Sequence, residues 1–334
     1  MQPVNLQTIW WEDGTVFLID QNKLPKEFVI KPCRSVEEVA EAIKSMAIRG
    51  APAIGAAAAL GLALAAYHAP PQQVVEHLER AARLLLSTRP TARNLQWAIE
   101  RVLRAAKLAK EDEIRERALE EALRVLKEDA EVNEKIGKVG VELLKDGDIV
   151  LTHCNAGSLA TVRYGTALAP VREAIKRGLR VSVIATETRP KLQGARLTAF
   201  ELKVEGIPVK VITDGMVGYV MKEGLVNKVI VGADRILSDG SVVNKIGTLT
   251  IAIVADFFNV PFYVAAPVST FDLESRVSDV YIEHRGREEI AYIAGQQILP
   301  SNVDVMNPSF DITPPDLIDI YITERGLLKP PFKL

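Results

Sequence analysis

Cys154 is the side chain of this 334-residue chain whose type and setting best suit chemistry, and Asp234 is one of several carboxylates expected on the same rim. Cys154 lies in Asp148-Ile-Val-Leu-Thr-His-Cys-Asn-Ala-Gly-Ser158. The apolar run to Thr152 predicts a short buried strand, small and polar residues predict a turn, and a helical pattern begins near Ser158. The thiol is thus expected where the carboxyl end of a strand meets a helix start. Open α/β sheets place binding crevices at such points, and a helix amino terminus lowers a thiol's pKa. Asp234 follows the run Val229-Ile230-Val231 and is expected to point out of the same sheet edge. Each has a bland alternative: free cysteines usually pack as small hydrophobes, and an acid after a strand is often a cap or a salt-bridge partner. Polar neighbours Thr152, His153 and Asn155 favour chemistry at Cys154, whereas Cys33, between Pro32 and Arg34, is assigned to packing. His153 is not expected to serve Cys154 as a base, because adjacent strand residues face opposite ways.

Other strand ends bring Glu187-Thr188-Arg189, Asp214, Gly232–Arg235 and Pro267 to this rim. Several segments suit an anion. Asn244-Lys245-Ile246-Gly247-Thr248 is expected to open a helix whose N–H groups and dipole attract phosphate, and Gly157-Ser158 to open another. In Ile48-Arg49-Gly50-Ala51-Pro52 an arginine adjoins a glycine that lets backbone approach a ligand closely. Ser87-Thr88-Arg89-Pro90 is a comparable turn. Neither a Walker A sequence nor a GxGxxG after a strand occurs, which gives nucleotide hydrolysis and hydride transfer with NAD little support.

Two domains must position these residues. In the first, Thr8–Asp20 reads as a hairpin about Asp13-Gly14. Ser35-Val36-Glu37-Glu38 reads as a capping box starting a helix towards Ile48. Helices are expected over Ala51–Tyr67 and Gln72–Leu86, then, after a break at Pro90, from Ala92 to about Leu144. Composition shifts at Lys145-Asp146-Gly147-Asp148. Beyond it, strands at Ile149–Thr152, Arg180–Ala185, Val209–Thr213, Lys228–Val231 and Pro261–Ala265 alternate with helices at 158–177, 191–205, 214–223 and 245–259, the pattern of a parallel sheet covered on both faces. The fold class is α/β: a mainly helical amino-terminal domain with a small β element (1–145), then a parallel-sheet domain (146–334). The Pro-rich end, Thr313–Pro315 and Lys329–Phe332, is expected on the surface or against a partner.

Composition narrows the function classes. Lys and Arg number 41 against 43 Asp and Glu, with no long block of one sign, which argues against nucleic-acid and polybasic membrane binding. Two distant cysteines predict no disulfide framework and a cytoplasmic setting. Four histidines without HExxH spacing give no metal signature. The start lacks the pattern of a signal peptide. Ala51–Tyr67 carries no charge, but it is mostly alanine, broken by Pro52, Gly55 and Gly61, so a buried helix is preferred to a membrane span. The chain is expected to be soluble.

Ile48–Gly55, Thr88–Thr91, Thr152–Gly157, Glu187–Arg196, Val231–Ile236 and Asn244–Thr248 resemble, in order, the motifs of the methylthioribose-1-phosphate isomerases. The likeness runs from Trp11-Glu12-Asp13-Gly14 to Asn307-Pro308-Ser309-Phe310-Asp311. These enzymes of methionine salvage convert 5-methylthioribose 1-phosphate to 5-methylthioribulose 1-phosphate. The resemblance implies a helical domain followed by a Rossmann-like one, a homodimer, and no metal or organic cofactor. It implies Cys154 and Asp234 as the catalytic pair, and Arg49, Gly50, Ala51, Arg89, Gln193, Asn244 and Lys245 as substrate-binding positions. Asp234 would protonate the ring oxygen. Cys154 would assist hydrogen transfer from C2 to C1, by an enolate or by a hydride shift. Two relatives stay open as alternatives: ribose-1,5-bisphosphate isomerase, and the non-catalytic regulatory subunits of translation initiation factor 2B.

Overall fold

The computed structural model describes residues 6–89 and 92–332. Two compact units form: Met1–Glu134 with Ala156–Gly165, and Lys135–Asn155 with Thr166–Leu334. The composition shift at 145–148 falls inside the second unit.

In the first unit β1 (Ile9–Glu12) and β2 (Thr15–Ile19) form the expected hairpin, and β3 (Ile30–Cys33) adds antiparallel to β2. Asp13 and Gly14 both take positive φ (43° and 73°), the conformation of a tight primed turn. Ser35 caps α1 (Val36–Lys44), its Oγ accepting from the Glu38 N–H at 3.2 Å. Glu38 reaches the backbone N–H of Arg34 rather than that of Ser35, so the capping box is displaced by one residue. α1 stops short of Ile48 because the Ser45 hydroxyl turns back onto the Glu41 carbonyl and Met46 adopts φ 61°.

The alanine-rich segment is α2 (Ala51–His68), with nearly every side chain from Ala53 to Leu64 buried. It is long and apolar enough to span a bilayer by length and composition, but its surface is spent on helix packing. A Cβ at Gly55 would lie 2.9 Å from the Asn94 carbonyl, and one at Gly61 would meet Leu85 and Val39. Small residues therefore let neighbouring helices approach closely. Those neighbours include α3 (Val74–Thr88) and α4 (Arg93–Lys107). The break expected at Pro90 lies outside the described residues. The long helix expected from Ala92 to Leu144 is two: α4 ends near Leu108, and α5 runs Ile114–Gly140 after a short 3₁₀ turn.

The second unit carries β4 (Ile149–Thr152), α6 (Ala169–Lys176), β5 (Ser182–Thr186), α7 (Ala199–Val204), β6 (Val209–Ile212), α8 (Val217–Lys222) and β7 (Lys228–Val231). Next come β8 (Arg235–Leu237), β9 (Val242–Lys245), α9 (Thr248–Phe257), β10 (Phe262–Ala265) and β11 (Phe271–Asp272). A two-residue pair, β12 (Tyr292–Ile293) and β13 (Gln296–Gln297), precedes β14 (Phe310–Thr313), β15 (Ile320–Thr323) and β16 (Gly326–Leu328). The main sheet has the order β16-β15-β10-β7-β4-β5-β6, parallel except for β16 at its edge. The chain starts at β4, grows outward through β5 and β6, then returns to the other side of β4 as β7. The strand order therefore reverses between β4 and β7.

A second sheet, β11-β8-β9-β14, is an addition to the sequence reading. Phe332 is not a surface tail: its ring packs edge-on against Phe271 and Tyr321 at 4.9 and 5.0 Å.

The helix expected over 158–177 also differs. Only a 3₁₀ turn forms at Ser158–Ala160, and α6 starts at Ala169. Tertiary hydrogen bonds take over the backbone between them. Ser158 O accepts from the Thr8 hydroxyl (2.7 Å), Leu159 O from the Gln21 amide (2.7 Å), and the Val162 N–H donates to Asp129 (2.7 Å).

Candidate active site

Cys154 follows β4 by two residues and Asp234 follows β7 by three, so both expected reactive groups leave the sheet at its strand-order reversal. Both are half-buried. A parallel sheet opens a crevice outside its carboxyl edge where the connections diverge to opposite faces. β4 and β7 are hydrogen-bonded neighbours, with Leu151 opposite Val229. The backbone N–H of Asp234 donates to Val243 of β9 at 2.9 Å, which fixes the start of its loop.

No α-helix begins beside Cys154, so the expected help from a helix dipole is absent. The residue is held in another way. It adopts φ 61°, a left-handed conformation uncommon outside glycine and asparagine. Its N–H donates to Thr188 Oγ1 at 2.9 Å, and its carbonyl accepts from Thr198 Oγ1 at 2.7 Å. Asn155, the next residue, donates its side-chain amide to Thr198 Oγ1 and to Glu201. Glu201 and Glu205 in turn bind Arg172 (2.7 Å each) in a buried ion cluster.

His153 is buried, and both ring nitrogens are engaged: Nδ1 lies 2.6 Å from Thr186 Oγ1 and Nε2 2.8 Å from the Ile246 carbonyl. A carbonyl only accepts, so Nε2 carries the proton and Nδ1 accepts from the threonine. Burial holds the imidazole below its usual pKa, which favours this neutral form.

The rim residues after β5 have structural partners. Asp214 accepts the N–H groups of Thr188 (2.8 Å) and Arg189 (2.7 Å). The Arg189 guanidinium donates to the carbonyls of Pro190 and Ile290. Gln193 is different. It is 7% exposed, and its Oε1 is buried with no hydrogen-bond partner. A buried acceptor left unpaired costs about 1–3 kcal/mol.

Asn244 and Lys245 end β9 rather than opening a helix; α9 starts at Thr248. At its amino terminus Asp311 of β14 accepts from the N–H groups of Gly247 (2.7 Å) and Leu249 (3.2 Å). The expected helix opening is therefore corrected, and two of the N–H groups at the start of α9 already serve a carboxylate of the chain. Buried Asn244 donates to Thr248 Oγ1 at 3.0 Å, and the Lys245 ammonium lies 5.1 Å over the Phe310 ring.

In the other unit, Arg49 and Gly50 precede α2, whose amino terminus starts at Ala51 with no side-chain cap. Gly50 has φ 96°, and a Cβ there would meet Ala160 backbone at 2.4 Å. The close approach its glycine permits is thus made to the chain itself. Arg89 caps the end of α3, and Pro90 and Thr91 of its motif lie outside the described residues. Thr198 escaped the sequence reading, and the structural roles of Thr188 and Asp311 did too. Thr188 and Asp311 lie within matching motifs, but nothing in their spacing shows what they hold.

Among the described residues, no cluster of three or more His, Cys, Asp or Glu is arranged to hold a metal. The strand order defines a doubly wound α/β unit in which Cys154 and Asp234 both follow strands that flank the switch point. The chain belongs to the initiation factor 2 subunit family, whose profile matches residues 47–330. It is similar to the methylthioribose-1-phosphate isomerase of Thermosipho melanesiensis, at 50% identity over 98% of this chain and 96% of that one. Among solved structures it is similar to 5-methylthioribose 1-phosphate isomerase from Pyrococcus horikoshii OT3 (TM-score 0.92, 44% identity, 98% of this chain and 93% of that one). A structure described as translation initiation factor eIF-2B, subunit delta, from A. fulgidus is also similar (TM-score 0.90, 54% identity, 98% and 96%).

Proposed function

We propose that this protein is an aldose–ketose isomerase converting 5-methylthioribose 1-phosphate to 5-methylthioribulose 1-phosphate in methionine salvage. The observation that carries the reading is the emergence of Cys154 and Asp234 from adjacent strands at the reversal of the sheet. The names of relatives at about half identity over nearly the whole chain support it.

The chemistry gives each group a task. Phosphate blocks the anomeric carbon, so the sugar ring does not open by itself. Asp234 is assigned the proton donation to the ring oxygen as the C1–O bond breaks. Hydrogen then moves from C2 to C1, either as a proton through Cys154 and an enol or enolate whose C1 oxygen keeps its phosphate, or as a hydride beside it, and the C2 hydroxyl gives up the proton that restores Asp234. Neither route changes the overall composition of the substrate. Gln193 Oε1 is suited to accept from a sugar hydroxyl. Arg49, with the backbone N–H groups of Gly50 and Ala51 at the start of α2, suits the phosphate dianion. Arg89, Asn244 and Lys245 complete the proposed substrate set. The exposed Ile253 and Phe257 of α9 and Tyr219 of α8 suit the apolar surface that a homodimer would cover, and free thiols at Cys33 and Cys154 suit a cytoplasmic setting.

The test is ketose formation from 5-methylthioribose 1-phosphate and, separately, from ribose 1,5-bisphosphate. Turnover of the first is expected, with Cys154→Ser and Asp234→Asn each losing about 10²–10⁴-fold in kcat while circular dichroism stays unchanged. Turnover of the bisphosphate alone would reassign the substrate, and turnover of neither would support a regulatory subunit.

A further inference from the structure

Cys154 occupies a backbone conformation that its own chemistry does not favour, so something must hold it there. The hydrogen bonds around it form one directed chain. The Cys154 N–H donates to Thr188 Oγ1 (2.9 Å). The Thr188 hydroxyl lies 3.2 Å from both the Thr186 carbonyl and Thr186 Oγ1. The Thr186 hydroxyl reaches His153 Nδ1 (2.6 Å), and His153 Nε2–H ends on the Ile246 carbonyl (2.8 Å). On the other side Thr198 Oγ1 donates to the Cys154 carbonyl. Every donor and acceptor in the chain has one consistent direction.

Thr188 is itself unusual: a β-branched residue at φ 65°, a genuine outlier that persists only where its surroundings enforce it. Asp214 supplies that enforcement through the Thr188 and Arg189 N–H groups. Gly194 leaves the room, since a Cβ there would fall 1.7 Å from the Thr186 carbonyl and 2.9 Å from Thr188 Oγ1. Strain kept at a site of this kind commonly serves the function of that site.

We propose that Thr188 and Thr198 are positioning residues that clamp Cys154 from its two backbone ends, and that His153 is the neutral far anchor of the clamp. His153 thereby ties the cysteine loop to the Lys245–Gly247 segment; a Cβ at Gly247 would sit 3.1 Å from its ring. The proposal rests on the reading of Cys154 as the reacting group.

Thr188→Val keeps shape and β-branching but removes the hydroxyl, while Thr188→Ser keeps the hydroxyl. Two readouts are taken: steady-state kinetics with 5-methylthioribose 1-phosphate, and the pH profile of iodoacetamide alkylation of Cys154. Cys33 is an internal control, being fully buried with its thiol pushed up by burial to about 11. Thr188→Val is expected to lower kcat by about 10–100-fold with KM within about twofold, since a displacement of about 1 Å has that effect. It is also expected to shift the alkylation profile, and Thr188→Ser to restore both. Thr198→Val should act in the same direction, which keeps the test standing should Thr188→Val fail to fold. Wild-type kcat and alkylation in both valine variants would overturn the proposal, as would equal impairment in the serine and valine variants. The alkylation profile needs no turnover: full activity in Cys154→Ser would remove the catalytic reading while the clamp is still judged by its own readout.

Discussion

Removing the charge of Arg172 isolates what the buried ion cluster contributes. The guanidinium is 6% exposed and pairs with Glu201 and Glu205, whose side chains are 0% and 2% exposed. Glu201 also accepts from Asn155, the residue after Cys154. Arg172→Met keeps most of the volume but leaves two buried carboxylates facing each other. Breaking a buried pair costs about 3–5 kcal/mol, because the abandoned charge has neither partner nor solvent. The second unit has about 190 residues, for which each kcal/mol moves the midpoint by about 2–4 °C, so a fall of roughly 6–20 °C is expected at pH 7. Burial already raises the Glu205 pKa even with Arg172 present, and loss of the arginine raises it further. A carboxyl whose folded pKa lies above its unfolded value loses its contribution as pH rises, so the variant should regain stability on going from pH 7 to pH 5. Arg172→Met combined with Glu201→Gln and Glu205→Gln removes all three charges together and should recover most of the loss. The assay is thermal unfolding followed by circular dichroism across pH. A midpoint for Arg172→Met within ~2 °C of wild type at pH 7 would show that the buried cluster does not stabilise the fold in this way.

Further outcomes follow from other groups. Burial pushes Asp129, which accepts the Val162 N–H, up to about 7. Its folded pKa thus exceeds its unfolded one, and its contribution to stability should fall from about pH 4 to pH 7 and be gone above. Asp129→Asn should lack that slope and exceed wild type above pH 7 in denaturant titrations. Asp311→Ala strips the cap from α9 and should cost about 1–2 kcal/mol in the same titrations, an amount typical of lost caps. Gly194→Ala forces backbone against the Thr186 carbonyl, and a soluble yield and melting point equal to wild type would contradict that packing.

The main sheet was legible because each of its early strands is a short apolar run bounded by turn residues; Lys228–Val231 and Ile149–Thr152 form at the expected bounds. The second sheet was not. β9 pairs with β14, whose partner Asp311 is distant in sequence from Asn244, and a segment mixing Asn, Lys and Gly reads locally as a loop. The same distance hid the Asp311 cap at the start of α9. The 158–165 segment misled for the opposite reason: its helical pattern is real, but Thr8, Gln21 and Asp129 offer its backbone better partners. Cys154 is recognisable as a candidate from its strand-end setting, whereas Asp234 stands out from the other rim carboxylates only through the family resemblance. That they leave neighbouring strands at the reversal follows only from the order of the sheet.

The most direct measurement is a crystal structure of this protein with 5-methylthioribulose 1-phosphate bound. The Cys154 sulfur and an Asp234 oxygen are expected within about 3–3.5 Å of the C1–C2 region and its oxygens, with Gln193 Oε1 accepting from a sugar hydroxyl. Product bound away from the β4–β7 reversal, or with either group turned from those carbons, would contradict it.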